Sequence, residues 1–179
     1  MQGILEVAEL GNDILRRKSL DVENLDDQYI QSLIDGLIET AKYINGVGIA
    51  APQVSESLRI FIMSSHPNPR YPNAPYMEPT EVINPRIVSY SKAMKKDWEG
   101  CLSIPGIRGY VPRHRSIDVK YLDRNGIEIL ATYEDFIARI FQHEYDHLDG
   151  ILFLDRLDSI RDIITDKEYA KLMPETHKL

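Results

Sequence analysis

The chain has 179 residues, 43% of them hydrophobic, which suffices for one globular domain with a single core and is too little for two. Basic residues number 21 against 28 acidic ones, a formal charge of −7 without a long run of either sign, so composition gives no footprint for nucleic acid or anionic lipid. Cys101 is the single cysteine, which excludes an intramolecular disulfide. With no signal-peptide pattern at the amino terminus and no run near the roughly 20 apolar residues of a membrane span, a reducing cytoplasm is the expected location.

From Asp26 to Asn45, Tyr29, Ile30, Leu33, Ile34, Leu37, Ile38 and Ala41 recur at three- and four-residue steps, which predicts a helix ended by Asn45-Gly46. "GVGIAAPQV", Gly46 to Val54, follows. It lacks the third glycine of a dinucleotide fingerprint, so nucleotide binding is rejected. Its glycines let a peptide-like backbone come close, and the Gln53 amide can donate to a developing oxyanion. Leu58–Ser64 reads as a buried strand, and Glu81–Tyr90 as a second one in which Pro85 demands an edge or a bulge.

Residues 66–79 hold five of the ten prolines, so a proline-rich surface loop is expected at about 64–80. Cys101 lies in "WEGCLSIPG", Trp98 to Gly106, where the flanking glycines and proline predict an irregular, close-packed backbone and no regular strand. Alternating segments around Asn125-Gly126 predict a hairpin with a tight turn. Thr132 with Asp135 matches a capping box, and Phe136, Ile137, Ile140, Phe141 and Tyr145 carry helical periodicity into "QHEYDHLDG", Gln142 to Gly150. A C-terminal helical tail is expected from about Asp158 to Met173, ending near Pro174. The fold class is α+β, a single domain of short antiparallel strands around a buried helix that carries the HExxH motif.

Residues four apart on a helix differ by about 40° in azimuth, so His143 and His147 can aim both imidazoles at one cation. Glu144, turned about 100° from His143, stands beside that point, placed to take a proton from water. Asp146 and, less strongly, Asp149 are candidates to orient an imidazole through its other nitrogen. His66, His114 and His177 read as solvated surface. Cys101 is the better third ligand, and one cysteine with two histidines leaves a tetrahedral cation one position short, which favours catalysis over a structural site.

Three stretches in this order, Gly46 to Gln53, Glu99 to Ser103 and Gln142 to Gly150, resemble the motifs of the peptide deformylase family at every defined position. The resemblance implies a hydrolase that removes the formyl group from the N-terminal formylmethionine of newly made polypeptides and releases formate. It implies Cys101, His143 and His147 as metal ligands and Glu144 as general acid and base. Gln53 and the Leu102 backbone amide would stabilise the tetrahedral intermediate, Gly48 would bind the substrate backbone, and Val47, Phe136 and Ile140 would line the methionine pocket.

The family's metal is ferrous iron in cells, with zinc or nickel able to replace it; the partner is a formylated nascent peptide at the ribosome, with no direct reading of nucleic acid and no membrane. Two departures from the family, Gly11-Asn12 and the long loop at 64–80, are expected not to touch the site. The rival readings are a gluzincin-type metallopeptidase with Glu168 as third ligand, and a metal-stabilised binding module without catalysis.

Overall fold

A computed structural model describes residues 3–172. Helix α1 spans Gln28–Tyr43, its first turn closed by the Asp27 carboxylate, which accepts the Tyr29 N–H at 2.9 Å. It ends where expected: Asn45 takes a left-handed φ of 53° and Gly46 N–H returns to the Ala41 carbonyl at 2.9 Å.

A five-stranded antiparallel sheet runs in the order β1 (Gly48–Ala50), β2 (Ile60–Met63), β3 (Thr80–Tyr90), β6 (Ser116–Leu122) and β7 (Glu128–Glu134). Strand β2 shows why this sheet is covered on both sides. All four of its residues are buried, and alternation sends Ile60 and Ile62 into the cluster beneath α1. Phe61 and Met63 point the opposite way, against α2 (Asp135–Leu148), where Phe61 meets Phe141 edge to face at 5.1 Å. Each of these side chains contributes on the order of 1.5–3 kcal/mol by burial.

The other side of α2 faces a second antiparallel sheet, ordered β4 (Met94–Cys101), β5 (Ile104–His114) and β8 (Ile163–Thr165). Gln142 ties the helix to β5: its amide donates to the His114 carbonyl at 2.9 Å and accepts the His114 N–H at 3.1 Å. The architecture is α+β with antiparallel sheets and, among the described residues, three α-helices, of which the third is α3 (Asp166–Leu172). None of the described helices is long and apolar enough to cross a membrane.

Pro85 sits at a bulge, one of the two placements expected for it, beside Asn84 at φ 49° and in a register shift between Ile83 and Arg86, so the strand continues past it inside the sheet. Other local expectations need correction. The β6–β7 hairpin forms, but only Gly126 is left-handed, and the Asp123 carboxylate shapes the turn by accepting the N–H groups of Asn125 and Ile127.

There is no Thr132 capping box: Thr132 belongs to β7 and donates to Asp118 at 2.7 Å, while Glu134 precedes α2 without a side-chain cap. The strand turns into the helix so abruptly that Asp135 has φ 45°. Cys101 is the last residue of β4, with its irregularity confined to a bulge at Gly100. The expected C-terminal helix is broken, because β8 pairs with β5 before α3 begins; Pro174 and His177 lie outside the described residues.

Candidate active site

The end of β4 and the last turns of α2 bring three donors together. Cys101 Sγ and one ring nitrogen each of His143 and His147 all lie within 4.8 Å of one another, with Sγ 3.3 Å from His147 Nε2. A thiol and two imidazoles so close, with no other side chain among the described residues completing the group, fit a divalent cation with one position left for water or substrate. Glu168 is not near them; on exposed α3 it pairs with Lys171 at 2.8 Å, which removes the structural support for the gluzincin reading.

Orientation of the His143 ring comes from a residue to which sequence reasoning gave no role. Its Nδ1 lies 2.9 Å from Glu99 Oε2, while Asp146 and Asp149 hold arginines instead of imidazoles. Asp146 accepts from Arg113 at 2.6 Å and from Arg156 at 2.7 Å, and Asp149 accepts from Arg59 at 2.7 Å. Glu99 also receives Arg113 at 2.9 and 3.0 Å and Arg139 at 2.7 Å. Burial alone would push the Glu99 carboxyl up, but the Arg113 charge and the bonds from His143 and Arg113 hold it well below the usual carboxylate range. No local signal singled out Glu99, since the flanking glycines and proline predicted an irregular backbone and the bulge at Gly100 interrupts the alternation between Glu99 and Cys101.

Glu144 stands on the cavity side of the same helix, 4% exposed, with Oε2 lacking any hydrogen-bond partner among the described residues. Burial raises its carboxyl, and together with the nearby Glu99 charge this outweighs the opposing pull of His143 and Arg113, bringing it up to about 7. The other oxygen faces β1, where a Cβ built on Gly48 would run into it, so a larger residue there would have to push the carboxylate aside. Gln53 reaches in from the turn after β1: its Oε1 accepts the Ala50 N–H at 2.9 Å and its Nε2 faces Cys101 Sγ at 3.4 Å and Ser103 Oγ at 3.2 Å.

These groups open onto a cavity of about 230 Å³. Gln53, Leu102, Gly48, Val47, Phe136, Ile140, Cys101, His143 and Glu144 all border it, whereas His147 lies behind Cys101 and does not. The proline-rich loop borders it too, through Arg70 and Tyr71, contrary to the expectation that this loop stays clear of the site. It is folded back instead of extended: Ser65 donates to the Pro75 carbonyl, and buried Asn68 caps a turn by accepting the N–H groups of Arg70 and Tyr71 at 2.9 and 3.0 Å. No sequence signal marked this, since the ties are side chain to backbone across a stretch without periodicity.

His66 and His114 are not solvated surface. Both are half-buried and hydrogen-bonded, His66 to Ser64 O at 2.7 Å and Asn45 Oδ1 at 2.6 Å, His114 to Ser91 O at 2.7 Å.

Residues 4–162 match the family model for polypeptide deformylase. Peptide deformylase 2 of a Nostoc species is 56% identical over 175 residues, 98% of each chain, and peptide deformylase 1 of Prochlorococcus marinus is 44% identical over 86% of this chain and 81% of that one. A class I type b peptide deformylase from Acinetobacter baumannii with Met-Ala-Ser bound superposes with a TM-score of 0.85 at 45% identity, covering 88% of this chain and all of that one. The Thermotoga maritima peptide deformylase gives 0.79 at 35% identity over 88% of this chain and 100% of its own. The chain therefore belongs to the peptide deformylase family of hydrolases.

Proposed function

We propose that this chain removes the N-formyl group from the N-terminal formylmethionine of newly made polypeptides by metal-dependent hydrolysis, releasing formate. The observation that carries this reading is the pairing of a buried Glu144 oxygen, without a hydrogen-bond partner among the described residues, with three converging donors, two of which border a cavity of about 230 Å³. Cys101, His143 and His147 would hold the cation, and a mixed thiolate and imidazole set accommodates Fe2+, Zn2+ or Ni2+, with Fe2+ the occupant in cells. Such a cation supplies Lewis acidity, polarising the formyl oxygen and acidifying water.

Glu144 takes a proton from the attacking water as oxygen bonds to the formyl carbon, and returns it to the amine nitrogen as the C–N bond breaks. Burial raises the Glu144 carboxyl above its ordinary value, the direction suited to a group that must both take up and return a proton. The Gln53 amide and the Leu102 backbone N–H stabilise the oxyanion, the Gly48 backbone aligns the peptide, and Val47, Phe136 and Ile140 receive the methionine side chain. The A. baumannii relative binds Met-Ala-Ser, a peptide that begins with unblocked methionine, which accords with product in such a cavity. The working location is the cytoplasm, on nascent peptides at the ribosome.

The test uses protein loaded with ferrous iron without oxygen and formyl-Met-Ala-Ser. Stoichiometric formate and free amine are expected. A protein that retains its metal yet leaves the peptide formylated is a binding module, and the proposal fails. Cys101→Ser should lose the metal; full retention would remove the thiol from the ligand set.

A further inference from the structure

Tyr71 stands at the junction of three parts of the cavity, though it comes from the proline-rich loop. Its ring lies 5.1 Å from the Phe136 ring at 55°, and the Arg108 guanidinium sits 5.6 Å from its centroid on β5. Its hydroxyl accepts the Gly100 N–H at 3.3 Å on β4, an edge strand that pairs with β5 alone among the described residues. The backbone of Tyr71 is fixed in turn by Asn68. A half-buried aromatic ring held at three points beside Phe136 is a built surface, and the cavity is where that surface faces.

Accepting the deformylase reading above, we propose that Tyr71 is a specificity-determining residue: its ring, seated on Phe136, completes the wall that receives the methionine side chain. The chemistry suits that side chain, since a thioether packs well against aromatic rings and an unbranched chain follows a flat wall. A small first residue, such as alanine, is too short to reach the ring. Tyr71 therefore adds binding energy for methionine and nothing for alanine. The hydroxyl has a separate task, satisfying an N–H of β4, so the ring alone carries the preference.

The experiment compares kcat/KM for formyl-Met-Ala-Ser and formyl-Ala-Ala-Ser on iron-loaded wild type, Tyr71→Phe and Tyr71→Ala. Tyr71→Ala is expected to lower the methionine value by about tenfold, chiefly through KM, and the alanine value by less than about twofold. Tyr71→Phe should keep the methionine-to-alanine ratio within about twofold of wild type.

Equal losses on both peptides would mean that Tyr71 only holds the loop, and an unchanged ratio in Tyr71→Ala would equally overturn the proposal. If Tyr71→Ala does not unfold cooperatively, Tyr71→Leu replaces it, with a ratio about threefold lower expected and an unchanged ratio counting against the ring. A wild type that releases formate from neither peptide sinks the underlying activity, and the wall with it.

Discussion

On the side of α2 that faces β4 and β5, Glu99, Arg113, Arg139 and Asp146 are between 3% and 6% exposed, and each carboxylate meets at least one guanidinium at 3.0 Å or less. On the cavity side Glu144 is as deeply buried, at 4%, with an oxygen that no group among the described residues satisfies. Burial is the same, yet the consequences are opposite. Glu99 is held ionised by its neighbours and acts as a fixed support for His143, whereas burial without a partner raises the Glu144 carboxyl, the direction that suits a group which must both accept and release a proton. Company, more than depth, sets what a buried carboxyl can do.

Replacing each carboxylate by its amide should break this contrast most visibly. Glu144→Gln removes the proton carrier without leaving a charge unpaired, so activity should fall by about 10³- to 10⁴-fold while metal content and the urea midpoint stay at wild-type values. Elemental analysis and steady-state kinetics on the same sample decide it; activity within tenfold of wild type would remove Glu144 from the proton path.

Glu99→Gln does the reverse. It removes the carboxylate that faces Arg139 and one of the two that hold Arg113, leaving Arg113 to Asp146 alone, which should cost about 3–5 kcal/mol of stability by urea denaturation, and it loosens His143, weakening metal retention by about 10- to 100-fold. Equal destabilisation by the two amides would erase the distinction between the two sides of the helix.

Gly48→Ala tests how tightly the cavity side is built. The new methyl would meet Glu144 Oε1 at 2.4 Å, and the neighbour it meets is the reacting carboxylate itself. A loss of about 1–3 kcal/mol in transition-state stabilisation is expected, read as kcat/KM, with unfolding affected less because the carboxylate can swing aside. Wild-type activity would show that Glu144 works from another rotamer.

What could be read in advance divides along the same line. Helix α1, the HExxH pair and Cys101 were legible because periodicity and ligand chemistry are local properties of a sequence, and the structure does bring those three donors together. The arginine cluster beneath His143 was not, since Arg113 reaches Asp146 across 33 positions and Arg139 reaches Glu99 across 40, and no local pattern encodes such pairings. Asp146 was credited with holding an imidazole on spacing alone, although its carboxylate is taken by Arg113 and Arg156. Tyr71 was missed because prolines announce a loop without saying where the loop lies.

A pair of tyrosines, one buried and one half-buried, offers the gentlest test, because it is neutral in the folded state. The hydroxyls of Tyr121 and Tyr133 meet at 2.8 Å beside Phe141, on the sheet side of α2. Burial, then the hydrogen bond to Tyr121, raises the Tyr133 phenol above its ordinary value of 10.0. A raised value in the folded state means that the pair's contribution is fully present below pH 10 and is lost as pH climbs above it, because the unfolded chain ionises first. Tyr133→Phe keeps the ring but strands the Tyr121 hydroxyl, so it should be about 1–2 kcal/mol less stable than wild type at pH 7. Above pH 10 the wild type surrenders stability that the variant never had, and the two denaturation midpoints should converge. Parallel curves from pH 7 to 11 would mean that Tyr133 ionises as freely inside the fold as outside it.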